Sequence, residues 1–365
     1  MRKIVLRAED DAPAPRRSAG SAALSEARAN VPAMSDLSQQ RPVVTRMVDG
    51  EICAYRPDTA APGSGAGAGA GTDAGAGSVE LAPVAVFRPV AGDEPVSRAV
   101  PADLARAYYA TSDAVVCVDP AGEQLWRYAF EPAQGGAWNH TPNCVVAPDG
   151  RTVWVYRPDA MAGRADADRW AVLDAETGAL LGRADLETAG HGGEQWVDAG
   201  GGAMLLDVGE GQDGTTVHRG TLTEDGLRVE RLPWDDRCPI GLSPDGRHLL
   251  TVDHGQDDAT VLALADGEVR LTVVLGDFGP DAEKREAVVE WSGGYLDADT
   301  LLLVLVGETE EEEEWFRTYR VDAHDGRVLG EFATHGEHPY DLEPLGDGSW
   351  LTTGPAGHPV RWFAR

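Results

Sequence analysis

A few short stretches carry residue types able to do chemistry. "HGEH", residues 335–338, puts two imidazoles and a carboxylate within four residues, the donor types that hold a divalent metal. Its spacing is neither HExxH nor HxxEH and no helical period surrounds it, so a solvated loop is the competing reading. "GEGQDG", residues 209–214, has the GxGxxG form. Phosphate binding there requires a strand before it and a helix N-terminus after it. The β-prone run "TTVHRGTLT" follows instead, which reads as a loop between strands. The run Glu310–Glu314 reads as a solvated, self-repelling loop. Cys53, Cys117, Cys144 and Cys238 form no CxxC pair, and they read as buried, reduced thiols that pack as small hydrophobes. No Ser/His/Asp or Cys/His arrangement is identifiable from spacing, so no catalytic residue is assigned and an enzyme is the less favoured reading.

The charge balance bounds the partners. In 365 residues there are 31 basic and 61 acidic side chains, a formal net charge of −30. Phosphates repel such a chain, so nucleic acid and anionic membrane are not expected partners. Cations, basic proteins and neutral small ligands remain. The N-terminal "MRKIVLRAEDDAPAP" holds no apolar stretch long enough for a signal peptide. The longest apolar run, "LLLVLV" at 301–306, is far short of the ~20 residues of a membrane helix. A soluble, cytoplasmic monomer is the expectation.

The elements that must position any site are strands. Residues 1–41 are rich in Ala, Arg, Ser and Pro without apolar periodicity and read as a disordered leader, with Met34 as an alternative start. Residues 42–58 hold "VVTRMVDGEICAYRP", two β-prone runs around Asp49-Gly50, a hairpin signal. Residues 59–80 are a Gly/Ala-rich flexible linker. From residue 81 to Arg365 the chain alternates strands and turns, and only "SRAVPADLARAYY", 97–109, resembles a helix. The phrase "VVAPDGRTVWVY" (145–156) returns as "IGLSPDGRHLLTV" (240–252) and "LEPLGDGSWLTT" (342–353). A second turn series, "DPAG", "DAETG", "EDG", "ADG" and "DAHDG", falls between members of the first. Two tight hairpins per repeat of about 50 residues make a four-stranded antiparallel unit, and such units stack into a β-propeller. The expected units are 81–130, 140–186, 193–232, 237–276, 286–333 and one from 337 that ends a strand short. The hairpin at 42–58 would supply that strand and close a six-bladed ring, or add a seventh blade if it counts separately.

The repeats "APDGRTVWV", "SPDGRHLLTV", "WAVLDAETGALLG" and "YRVDAHDGRVLG" resemble the β-propeller repeat superfamily of WD-repeat, YVTN-type and quinoprotein-like proteins. That resemblance implies the fold and is nearly silent on activity. In quinoproteins a Trp follows the turn in many blades; here only Trp126 does, so no quinone cofactor is expected. Strand alternation sends the second-to-third and inter-blade loops to one face. The inter-blade loops would bring Trp138, Asn139, His140, His191, Glu194, Asp235, Asp236, Arg285, Glu286, His335, Glu337, His338 and Asp341 there. His140, His191 and His338 each precede a first strand and are the candidates for an axial divalent-metal site. Two functions follow. One is a non-catalytic scaffold that binds a basic protein, or a small ligand, through this acidic face. The other is a lactonase-like or streptogramin-lyase-like enzyme with metal or His at the axial mouth.

Overall fold

Each copy of the repeated phrase is a tight turn between the first two strands of a sheet. Gly150 and Gly246 adopt φ of 70° and 66°, the left-handed conformation that costs glycine nothing. Their N–H groups close turns on Ala147 O and Ser243 O. Asp149 Oδ1 and Asp245 Oδ1 accept the N–H two residues on, from Arg151 and Arg247. In "LGDGS" the same turn uses Asp347 and Gly348. The computed structural model describes residues 42–59, 76–133, 140–198, 202–234, 236–279, 287–309 and 313–364.

Among these residues the strands form seven antiparallel sheets. Blade 1 is β1 (Val44–Val48), β2 (Glu51–Tyr55) and β4 (Ala85–Phe87). Blade 2 is β5 (Ser97–Ala99), β6 (Ala107–Ala110), β7 (Ala114–Val118) and β8 (Gln124–Ala129). Blade 3 is β9 (Asn143–Val146), β10 (Thr152–Arg157), β11 (Asp168–Asp174) and β12 (Leu180–Leu186). Blade 4 is β13 (Gly192–Val197), β14 (Met204–Gly209), β15 (Thr215–Thr223) and β16 (Gly226–Arg231). Blade 5 is β17 (Arg237–Leu242), β18 (His248–Asp253), β19 (Asp258–Ala263) and β20 (Val269–Val274). Blade 6 is β21 (Val288–Tyr295), β22 (Thr300–Glu308), β23 (Glu314–Asp322) and β24 (Val328–Phe332). Blade 7 is β25 (Glu343–Pro344), β26 (Ser349–Thr353), β27 (Pro359–Ala364) and β3 (Ala76–Glu80).

Second strands such as "TVWVYR" and "TLLLVLVGE" read as continuous apolar runs because both their faces are covered by neighbouring blades. Fourth strands such as β20 alternate or are exposed, as outermost strands should. Seven apolar clusters lie between successive blades. Tyr108, Cys117, Val153 and Leu173 join blades 2 and 3, and Ile240, Val252, Val289 and Leu303 join blades 5 and 6. Blade 1 faces blade 2 through Ile52, Phe87, Tyr109 and Val116, and faces blade 7 through Val44, Cys53, Tyr55 and Leu351. The ring is therefore continuous.

Four sequence expectations are corrected. The ring has seven blades, not six, and the 42–58 hairpin does not complete the last sheet. It is the core of blade 1, because its two faces bury against different neighbours. The strand that pairs β27 is Ala76–Glu80, read above as the end of a linker, with Val79 opposite Arg361. The 97–109 window is no helix: β5 and β6 take its ends, and Pro101 interrupts it. The units expected from residue 140 to 333 agree with blades 3–6 within a few residues. "GEGQDG" runs from the last residue of β14 through the loop to β15, as read, and all four cysteines are buried and outside any disulfide. The leader 1–41 lies outside the described residues. Among the described residues no helix is long and apolar enough to cross a membrane.

Candidate functional site

In a blade ordered first to fourth, the loop after the second strand and the loop leading to the next blade emerge at the same end. Hydrogen bonds tie these loops to one another. Asp236 N–H donates to Thr215 O at 3.2 Å, and His254 N–H to Asp236 O at 2.8 Å. Val289 N–H donates to Gln256 O at 2.9 Å, and Thr141 N–H to His191 O at 2.9 Å. Asp236, Gln256 and His335 hold φ of 59°, 65° and 62° without being glycine, a cost of order 1 kcal/mol or more each that surrounding contacts must offset.

One densely bonded point of this face is in β21. The ladder pairs Val289 with Leu305 and resumes at Gly293 opposite Leu303, so Glu290, Trp291 and Ser292 leave the register as a bulge. Bulges re-aim side chains. Gly293 makes this one possible: its φ is 138°, and a Cβ there would meet Leu302 O at 2.2 Å. The bulge residues take partners from two loops, the one between β18 and β19 and the one between β24 and β25. Glu290 Oε1 accepts the Tyr340 hydroxyl at 2.6 Å, the Trp291 N–H at 2.8 Å and Gln256 Nε2 at 3.4 Å. Trp291 Nε1 donates to Asp253 O at 3.2 Å. Ser292 Oγ donates to Pro339 O at 2.7 Å. Glu290 is 1% exposed. The half-buried Trp291 ring lies 5.8 Å from the His254 ring at 35°.

Two other acidic groups on the face are structural hubs. Asp168 is fully buried; its Oδ2 accepts from Gly190 N at 2.6 Å, Tyr156 Oη at 2.8 Å and Thr188 Oγ1 at 2.9 Å, and its Oδ1 from Ala160 N at 3.2 Å. Burial nonetheless pushes its carboxyl above the usual range. Asp159, also fully buried, sits among Arg157 (2.9 Å), Arg164 (3.6 Å) and Arg169 (3.6 Å), with Glu131 on Arg157 and Arg169. The hydrogen bond from Arg157 is the main cause that draws the Glu131 carboxyl down to about 2. The guanidinium of Arg157 also lies 4.5 Å over the Phe130 ring. These charges are consumed in clamping blade 3 to the loop before it.

The residues expected from sequence divide. Trp138, Asn139, Asp235, Arg285 and Glu286 lie outside the described residues, as does part of the Glu310–Glu314 run. Asp236 is exposed and links blade 4 to the β18–β19 loop. His191 is exposed, and its backbone meets the residue after His140. Glu194 is half-buried in β13. His335 is exposed and stacks on Trp362, with centroids 4.1 Å apart and planes at 16°. Glu337 and His338 are exposed, and Asp341 is buried as the anchor of their turn. Among the described residues no group of three or more His, Cys, Asp or Glu is arranged to hold a metal. His140, His191 and His338 thus form no such centre. Glu290 was missed by sequence reasoning. The signal available was "EWSGGY", a carboxylate and paired glycines in a first strand.

No protein-family model matches the chain, and no curated protein matches it. Similar solved structures are propellers or contain them. The β-propeller domain of Cps50 (Swd1) from Myceliophteria thermophila aligns with a TM-score of 0.50 at 10% identity, over 90% of this chain and 95% of that one. Dihydro-heme d1 dehydrogenase NirN in complex with DHE aligns with a TM-score of 0.50 at 15% identity, over 85% of this chain and 57% of that one. BamB from Moraxella catarrhalis aligns with a TM-score of 0.48 at 13% identity, over 90% of this chain and 83% of that one. Likeness at this identity carries the fold alone, and with seven sheets joined by seven apolar seams the chain is a seven-bladed β-propeller.

Proposed function

We propose that this propeller is a non-catalytic scaffold that captures a basic protein partner on its long-loop face. The observation that carries the reading is the β21 bulge, where the β18–β19 loop of blade 5 and the β24–β25 loop between blades 6 and 7 meet on a buried carboxylate. Asp236, Asp253, Asp257 and Glu337 stand in the loops around it. A net charge of −30 adds long-range attraction for a cationic surface. On this reading the protein works as a soluble cytoplasmic monomer without a cofactor. Neither nucleic acid nor membrane is a partner. The fold does not choose between binding and catalysis.

The test is fluorescence anisotropy of labelled hexa-arginine and hexa-lysine peptides, with a DNA duplex as comparison. The peptides should bind at low salt and weaken several-fold at about 0.15 M salt, where charges are screened beyond ~8 Å, and DNA should not bind. Failure of both peptides at low salt overturns the reading. So does a stoichiometric divalent metal found by elemental analysis of the purified protein, which would favour the enzyme.

A further inference from the structure

We propose that the Glu290–Ser292 bulge is the seat for one arginine side chain of the basic partner, a proposal that rests on the scaffold reading above. Glu290 is nine-tenths buried and more, yet it is not paired with any cation among the described residues. Its Oε1 takes the Tyr340 hydroxyl, the Trp291 N–H and the Gln256 amide. Its Oε2 takes no donor among the described residues. A buried carboxylate gains most from a partner that supplies both charge and directed donors. The ordering of Oε1 by Tyr340 and Gln256 from two loops and by the neighbouring Trp291 N–H leaves the second oxygen in a fixed position, so a ligand meets a preorganised acceptor.

The neighbours select the cation. Trp291 is half-buried beside Glu290 and its ring lies against that of His254. A planar guanidinium stacks on such a ring and presents N–H groups in its own plane, whereas an ammonium does neither as well. Asp253 and Asp257, on the loop that receives the Trp291 indole N–H, add negative charge within the same corner. The site is therefore a carboxylate flanked by aromatic faces, with an acidic approach.

The experiment uses the full chain and the same two peptides. Hexa-arginine should bind the native protein at least several-fold more tightly than hexa-lysine. Glu290→Gln keeps the shape and the acceptor for Tyr340 while removing the charge, and should weaken hexa-arginine tenfold or more. Asp225→Asn, in the β15–β16 turn at the opposite end of blade 4, removes the same charge from the whole molecule and should change affinity less than twofold. Should Glu290→Gln fail to fold by circular dichroism, Trp291→Leu takes its place, and the preference for arginine over lysine should vanish. If hexa-arginine binds Glu290→Gln as it binds the native chain, the seat is wrong and the acidic-face reading survives. An undiminished preference for arginine in Trp291→Leu overturns the seat in the same way. Equal binding of the two peptides by the native chain also overturns it. If neither peptide binds the native chain, both proposals fall.

Discussion

His218 shows what a single buried side chain costs this fold. It lies in β15, 4% exposed, with Thr216 Oγ1 at 3.2 Å from Nε2. Burial, helped by Arg231, depresses its pKa from 6.5 to about 4. The unfolded chain binds this proton first. The neutral ring's contribution is therefore complete above about pH 6.5 and is lost as pH falls through about 4. A shift of that size is worth on the order of 3 kcal/mol. Urea unfolding at a series of pH values should show stability falling across this window. His218→Phe should flatten that part of the profile. A variant with an unchanged slope would show that other groups carry the acid sensitivity. Glu131 acts lower, between the ordinary carboxylate range and about 2, and its exposure makes its share small.

At the scale of the element, β21 is the strand on which structure and proposed function depend together. Its first half packs in the seam between blades 5 and 6, with Val289 fully buried. Its bulge then turns Glu290, Trp291 and Ser292 onto three loop partners. Gly293 permits both, since any side chain would collide with the carbonyl of Leu302 at a φ of 138°. Gly293→Ala should destabilise by about 2–3 kcal/mol through strain and overpacking, read as a lowered denaturation midpoint. It should also weaken hexa-arginine binding, because the bulge must shift. Substitution of Gly226, where a Cβ meets nothing within 4 Å, separates the two effects: it carries positive φ strain at 112° but should leave binding intact.

For the whole molecule, ring closure is the decisive interaction. Blades 1 and 7 meet through Val44, Cys53, Tyr55 and Leu351, and polar bonds reinforce the seam. Arg46 pairs with Glu343 at 2.7 Å, Tyr55 Oη meets His358 Nδ1 at 2.6 Å, and Arg361 donates to Pro57 O. Deleting residues 42–58 would bare apolar faces on blades 2 and 7 and leave sheet edges open. Light scattering should then report aggregation, and the melting temperature should fall by several degrees or more. Deleting residues 1–33 should leave both unchanged. If the shorter ring melts like the full chain, blade 1 is dispensable and the closure argument fails.

What the sequence by itself determined is local. The Asp-Gly turns, with their need for positive φ and a side-chain acceptor, named the hairpins. The apolar runs between them named the inner strands, and together they named a propeller and the extent of blades 3–6. The β1–β2 hairpin was legible too, with Asp49 and Gly50 at φ of 52° and 80°. Only the tertiary structure decided what is distant in the chain. A period-two pattern says which face of a strand is buried, but not against which neighbour. The three strands at the C-terminal end accept any edge partner, and "AGSVE" at 76–80, with little β propensity of its own, is the one that pairs. Freed from that pairing, the hairpin became a blade, and six became seven. Glu290 was invisible for the same reason: its partners lie 34 and 50 residues away, and they meet it only because the ring brings successive loops to one end.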